Sequence, residues 1–318
     1  MNVNLGGFMK KLLSLIMVAA LSLTLFACAA PKPAATAAAE PATEAQQSAA
    51  TNKPVVGLAV STLNNPFFVS LVDGAKAKAN ELGFELIVVD AGDDPAKQTS
   101  DIEDLISKKV QVLIVNPVDS AAVAPVIGDV KKAGIKVISV DRGVDGETVD
   151  VAIASDNVYG GEIATKYLVE LVGEGAKVAE LVGTEGASAA IDRGKGFHNV
   201  ADTKLNVVAS QTANFNRADG LTVMENMLQA NPDIVGVFAH NDEMALGALE
   251  AVGDKNIVII GFDATDDALE AVKKGGNFKG TIQQQPALMG STSVEYAQKL
   301  INGEKVDSVV GVEVTLVK

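Results

Sequence analysis

The chain has 318 residues, a net charge of −14, and 48% apolar against 21% charged residues. Such a composition excludes a disordered protein. Its acidic balance argues against nucleic acid as a partner, because neutralising phosphates takes clustered Lys and Arg. The length leaves room for two domains of ordinary size.

Lys10 and Lys11 precede an apolar run from Leu12 to Phe26, followed by Ala27 and the only cysteine, Cys28. A charged start, an apolar stretch too short for an ordinary span and a small residue at the cleavage point predict an export signal over 1–27. One cysteine cannot close an intramolecular disulfide. Leu25-Phe26-Ala27-Cys28 resembles the lipobox of bacterial lipoproteins, although Phe26 is bulkier than that pattern usually has. The resemblance implies cleavage before Cys28 and a lipid on its sulfur, so the protein is expected outside the cytoplasm, anchored to the outer face of the membrane or periplasmic. From Ala29 to Lys53 there is no Val, Ile, Leu or aromatic residue. Nothing there buries enough apolar surface to offset chain entropy, which predicts a disordered tether over 28–53.

From Pro54 onward, apolar runs alternate with segments of helical period. The runs are VVGLAVS (55–61), ELIVVD (85–90), VLIVN (112–116), KVISVD (136–141), KVAELVG (177–183), NVVASQ (206–211), VGVFAH (235–240), IVIIGFD (257–263) and KGTIQ (279–283). Between them, helices are predicted over Phe67–Leu82, Thr99–Lys108, Tyr159–Leu171, Arg217–Gln229 and Asp242–Ala251, with a final one over Ala287–Ile301. Near-continuous Val and Ile is the pattern of strands covered on both faces, and βαβ alternation predicts parallel sheets with helices on both sides. VAIASDN (151–157) and TIQQQP (281–286) read as crossovers between two halves joined by a hinge.

The runs end in Ser61, Asn116, Asp141, Asn241 and Asp263, with Gln283–Gln285 after the last. Ligands of open parallel sheets bind beyond the carboxyl ends of the strands, and polar residues recurring there suit such a crevice. Any single one of them is as well explained by a turn or a helix cap. A second oddity is Phe67 beside Phe68, directly after Asn64-Asn65-Pro66, in a chain with 10 Phe, 3 Tyr and no Trp. Adjacent helical side chains point about 100° apart, so one core cannot bury both equally, and at least one is expected to do something else.

Catalytic and cofactor signatures are missing. No G-x-G-x-x-G, P-loop, H-E-x-x-H or G-x-S-x-G stretch occurs, and the near-calcium loop NFNRADG (214–220) is out of register. His198 reads as a helix surface residue, whereas His240, at a strand end, could line the crevice.

From Val55 to Lys318 the chain resembles the periplasmic sugar-binding proteins of ABC importers, and within them the ribose-binding group. The resemblance lies in STLNNPFF (61–68), LIVNPVDS (113–120), VISVDR (137–142), IASDN (153–157), EGASAAIDRGKGF (185–197), HNDEMALGAL (240–249), IIGFD (259–263) and TIQQQP (281–286). It implies an α/β fold of two Rossmann-like lobes with parallel sheets and a multi-strand hinge, the type I periplasmic binding protein fold. One lobe would comprise 54–155 plus 285–313 and the other 156–284 plus 314–318. It further implies a non-enzymatic protein, without cofactor or metal, that closes over one monosaccharide, D-ribose foremost, and delivers it to a permease. A monomer is expected, and a chemoreceptor is left open as a second partner.

By position the resemblance assigns sugar contacts to Asn65, Phe67, Phe68, Asn116, Asp141, Arg142, Arg193, Phe215, Asn241, Asp263 and Gln284. The residues themselves agree. Aromatic rings cover the C–H faces of a sugar, while carboxylates and guanidinium groups meet its hydroxyls with charge-assisted hydrogen bonds. Gln283 and His240 depart from the ribose-binding pattern and adjoin expected contacts, so they are expected to reshape the site if another sugar is bound. Allose, another pentose or a furanose-like quorum signal are the alternatives within the class. A repressor effector domain and an exported sugar-converting enzyme are the alternatives outside it.

Overall fold

The computed structural model describes residues 53–318; the export signal, the Cys28 anchor and all of the tether but Lys53 lie outside the described residues. In chain order the first half forms Val55–Val60 (β1), Pro66–Leu82 (α1), Glu85–Asp90 (β2), Pro95–Ser107 (α2), Val112–Val115 (β3), Ala124–Lys132 (α3), Lys136–Val140 (β4) and Val151–Ser155 (β5). The second forms Asn157–Val172 (α4), Lys177–Val182 (β6), Ser188–Lys204 (α5), Asn206–Thr212 (β7), Arg217–Ala230 (α6), Gly236–Ala239 (β8), Asp242–Val252 (α7), Val258–Asp263 (β9), Asp266–Lys274 (α8) and Phe278–Gln283 (β10). Pro286–Ile301 (α9), Val309–Val312 (β11) and Thr315–Val317 (β12) complete the chain.

These strands build two six-stranded sheets, ordered β2-β1-β3-β4-β5-β11 and β7-β6-β8-β9-β10-β12. All pairings are parallel except β10 with β12, which is antiparallel. The chain passes between the sheets at 155–157, 283–286 and 312–315. In both sheets the first strand of the lobe lies inside, between its second and third. That puts the reversal of strand order, where doubly wound sheets bind ligands, at β1/β3 and at β6/β8.

Local chemistry sets the helix starts. The side chains of Asn65, Asp94, Asp156, Asn216 and Asn241 each accept a backbone N–H at the first turn of the helix that follows. Asp94 with Pro95 behind it starts α2 a turn before Thr99, where hydrophobic period alone placed it: proline at the first helical position needs no donor. The short α3 and α8, the weakly patterned α5, and the short β11 and β12 were not delineated from the sequence. α1 and α9 cross so closely that a Cβ on Gly74 or Gly290 would strike the carbonyl of Ala287 or Leu71. Apolar clusters cover both faces of each sheet. In the first lobe they are aliphatic apart from Phe67, Phe68 and partly buried rings, whereas Phe197, Phe238, Phe262 and Phe278 are fully buried in the second.

Candidate functional site

In the first lobe, the loops beyond β1, β3 and β4 converge. Asn65 caps α1 through its side-chain oxygen, which accepts from Phe67 N at 2.9 Å, and this sets Phe67 and Phe68 at the helix start. The two rings meet edge to face with centroids 5.1 Å apart, and both are almost wholly buried. Asp141 follows β4 in the left-handed region, φ 66°, a conformation that non-glycine residues seldom hold without cause. Asn116 stands behind it: its amide donates to Asp141 Oδ2 at 3.1 Å and to the Val140 carbonyl, and its oxygen accepts from Ser61 N. Arg142 donates from Nη1 to the Pro117 carbonyl at 2.9 Å, and its Cζ lies 5.1 Å from the centre of the Phe68 ring.

The facing lobe supplies matching groups from different sources. Arg193, on α5, donates from Nε to Asn157 Oδ1 at 2.9 Å and from Nη1 to the His240 carbonyl at 2.6 Å, with its Cζ 3.8 Å from the centre of the Phe262 ring. Asp263 ends β9 with φ 127° and accepts from Gln284 Nε2 at 2.7 Å, while Arg193 Nη1 lies 3.8 Å from its Oδ1. Phe215 follows β7, also left-handed at φ 57°, and its ring packs on Gly183, where any Cβ would strike it. Asn241 caps α7 and donates to the Phe215 carbonyl.

Together Asn65, Phe67, Phe68, Asp141, Arg142, Ala189, Arg193, Phe215, Asn241, Asp263 and Gln284 surround a small interlobe space. Arg142 bridges the two walls, with Cζ also 5.4 Å from the Phe215 ring centre. Buried polar groups ordinarily find partners. Yet Asp141 Oδ1, Arg142 Nε and Gln284 Oε1 have no hydrogen-bond partner here. Burial raises the Asp141 carboxyl above its usual range against the pull of Arg142, Arg193 and Asn116. Burial likewise lifts Asp263 well above it, opposed by Arg193 and reinforced by Asp242. Two acids, two guanidinium groups, rings and amides offer both acceptors and donors with balanced charge. Such a space suits a small neutral molecule bearing several hydroxyls.

The lobes also touch beside this space without sharing it. Ser120 N donates to the Gly186 carbonyl at 2.9 Å, Ser188 N to Ser120 Oγ at 3.2 Å, and Gly143 N to Ser188 Oγ at 2.8 Å. Gly186, with φ 82°, allows the approach of Asp119, which any Cβ would block. The structure is therefore the closed arrangement.

Of the residues assigned sugar contacts from the sequence, all but Asn116 line this space. Asn116 serves instead as the support of Asp141, and Cys28 lies outside the described residues. Neither of the two departures from the pattern lines the space. Gln283 is exposed on β10 and pairs with Thr315 of β12, because strand alternation that turns Gln284 inward turns Gln283 out. His240 is fully buried but lies beneath the crevice, against Glu180. His198 is on the outer side of α5, as expected, and also reaches Glu180, at 3.3 Å. Sequence reasoning missed Ala189, Asn157 and Glu180; a small alanine and a helix-start asparagine carry no chemical signal, and Glu180 sits mid-strand in an apolar run. Among the described residues no His, Cys, Asp and Glu group could hold a metal, and no helix is long and apolar enough to cross a membrane.

Residues 56–305 match the family described as periplasmic binding protein domain, and the chain belongs to that family, with its two-lobed type I fold. Within it, the chain is 47% identical over 312 residues to the ribose import binding protein of Bacillus subtilis, spanning 97% of this chain and 99% of that protein. It is 46% identical over 276 residues to the ribose import binding protein of Haemophilus influenzae, spanning 86% and 94%. A crystal structure of an ABC transporter periplasmic solute binding protein from Actinobacillus succinogenes with bound D-allose aligns with a TM-score of 0.77 at 34% identity, covering 84% of this chain and 98% of that one.

Proposed function

We propose that this protein is the extracytoplasmic, lipid-anchored binding component of an ABC importer, taking up D-ribose between its lobes. The observation that carries the reading is the set of unpartnered buried atoms, Asp141 Oδ1, Arg142 Nε and Gln284 Oε1, on residues that line the interlobe space together with Phe67, Phe68 and Phe215. A monosaccharide gives Asp141 and Gln284 hydroxyl donors, gives Arg142 an oxygen, and presents its C–H faces to the rings. Kinship with ribose import binding proteins across nearly the whole chain supports ribose over other sugars. Affinity is reasonable on size: a pentose has about ten heavy atoms, so a Kd of ~1 μM needs roughly 0.8 kcal/mol per atom, under the ceiling of about 1.5.

In this reading the lobes close about the crossings at 155–157, 283–286 and 312–315, and the permease reads the closed form. The protein acts as a monomer and performs no covalent chemistry; Asp141 and Asp263 accept hydroxyl protons in hydrogen bonds rather than moving them. Cys28 carries the lipid and the tether gives the body reach. Isothermal calorimetry on residues 54–318, refolded to remove carried-over sugar, tests the reading. One-to-one binding of ribose at micromolar Kd or tighter, with allose and arabinose at least tenfold weaker, supports it. Silence with ribose and tight binding of allose, the ligand in the Actinobacillus succinogenes structure, replaces the sugar and keeps the role. Silence with every sugar overturns both.

A further inference from the structure

Beneath the second lobe's wall lies a buried ionisable chain whose side chains do not line the crevice. His240 Nε2 is 2.9 Å from Glu180 Oε1, and Glu180 Oε2 accepts from Ser210 Oγ at 2.6 Å and faces His198 Nε2 at 3.3 Å. His240 and Glu180 are both buried, while His198 is partly exposed and bonded to Asp202. On its other side the His240 ring meets the backbone: Gly183 N donates to Nδ1 at 3.3 Å, just past the ends of β6 and β8. A backbone N–H can only donate, so Nδ1 must hold a lone pair and Nε2 the proton, which points at the Glu180 carboxylate.

Both ends of this residue bear on the wall above. Gly183 is the floor on which the Phe215 ring rests, and the His240 carbonyl holds Arg193 Nη1. We infer that His240 is a positioning residue for the sugar site: as a neutral imidazole donating to Glu180 and accepting from Gly183, it fixes the seat of Phe215 and the direction of Arg193. The inference rests on the reading of the crevice as a sugar site.

The charged groups facing His240 are Glu180 of β6 and His198 and Arg193 of α5. Burial lowers the His240 pKa, outweighing Glu180, which would raise it. Burial alone would raise the Glu180 carboxyl, but its bonds from His240 and Ser210 leave it lower than usual. A proton added to His240 at low pH would set a second N–H against that of Gly183, unseating Phe215.

Three measurements test this. Nitrogen-15 NMR of the histidine-labelled, sugar-free protein should show His240 as the neutral Nε2–H tautomer at pH 7; an Nδ1–H tautomer or an imidazolium overturns the assignment whether or not sugar binds. His240→Gln keeps one donor and one acceptor but cannot ionise. It should bind ribose within about threefold of the natural protein at pH 7.5 and lose less affinity between pH 7 and 5; superimposable pH profiles overturn the inference. His240→Leu should weaken binding about tenfold or more, since it strands the Glu180 charge and the Gly183 donor. If His240→Leu does not fold, the tautomer and the glutamine profile still decide. If ribose proves not to be the ligand, the same comparisons use the sugar that calorimetry identifies.

Discussion

The two walls of the crevice carry the same chemistry, an aspartate, an arginine and aromatic rings, but assemble it differently. In the first lobe Asp141 and Arg142 are consecutive, and Asn116 and the Pro117 carbonyl fix them from a neighbouring loop. In the second, Asp263 comes from β9 and Arg193 from α5, and Asn157, His240 and Gln284 hold them, each from another element. The first wall is local in sequence; the second exists only once α4, α5, β8 and β9 have packed. An arginine fixed at one point tolerates change better than one fixed at two, so the second wall is expected to be the more demanding.

Removing a charged group from the second wall should have the largest effect. Asp263→Ala or Arg193→Ala leaves its partner buried and uncompensated, and ribose affinity measured by calorimetry should fall by about 2–5 kcal/mol. Lysine substitution sharpens the contrast between the walls. Arg193→Lys cannot reach Asn157 and the His240 carbonyl together, and should weaken binding more than Arg142→Lys, which has loop carbonyls on one nitrogen to replace. Equal losses would refute the asymmetry.

The rings give the next effect. Phe215→Ala should cost about 1.5–3 kcal/mol of affinity. Phe68→Ala should cost comparable affinity but also lower Tm markedly, because Phe68 belongs to the first lobe's apolar core while Phe215 is only half-buried. Thermal melts of the sugar-free variants separate the two.

The pH dependence has a definite sign. Asp141 and Asp263 are raised by burial, so each favours the sugar-free closed state when protonated, a contribution present below about pH 3.8 and lost as pH rises through the raised pKa. Sugar hydroxyls donating to the ionised carboxylates would pull those pKa values down. Binding should therefore release protons in the mildly acidic range, and affinity should fall as pH drops through it. Calorimetry in buffers of different ionisation enthalpy measures the release, and proton uptake would contradict the assignment.

The smallest effect concerns closure. Ser188→Ala removes one hydrogen bond between the lobes without touching the crevice. It should weaken ribose and allose by the same factor, from about twofold to tenfold, by lowering the closed population. A changed ratio between the sugars would place Ser188 in recognition instead.

Much of this was legible from the chain. Asn65-Pro66 announces the start of α1 and thereby places Phe67 and Phe68. Both rings are buried in the same first-lobe apolar cluster, against what helical spacing led one to expect, and both also line the interlobe space. The strand ends were legible because their aspartates and asparagines interrupt Val-rich runs. His240 and Gln283 adjoin Asn241 and Gln284 in sequence yet do not line the space, because neighbouring residues of an extended segment turn to opposite sides of the backbone.

The sequence by itself determined most of the alternation of strands and helices, several of the helix starts, the family and the residue types at the crevice, since each is encoded within a few neighbouring positions. Tertiary structure alone decided that Arg193 meets Asp263, that Asn116 backs Asp141 rather than facing the space, and that Asp141, Phe215 and Asp263 hold unusual backbone angles. Those outcomes depend on sheet order and on the packing of one lobe against the other, which set distances between residues far apart in the chain.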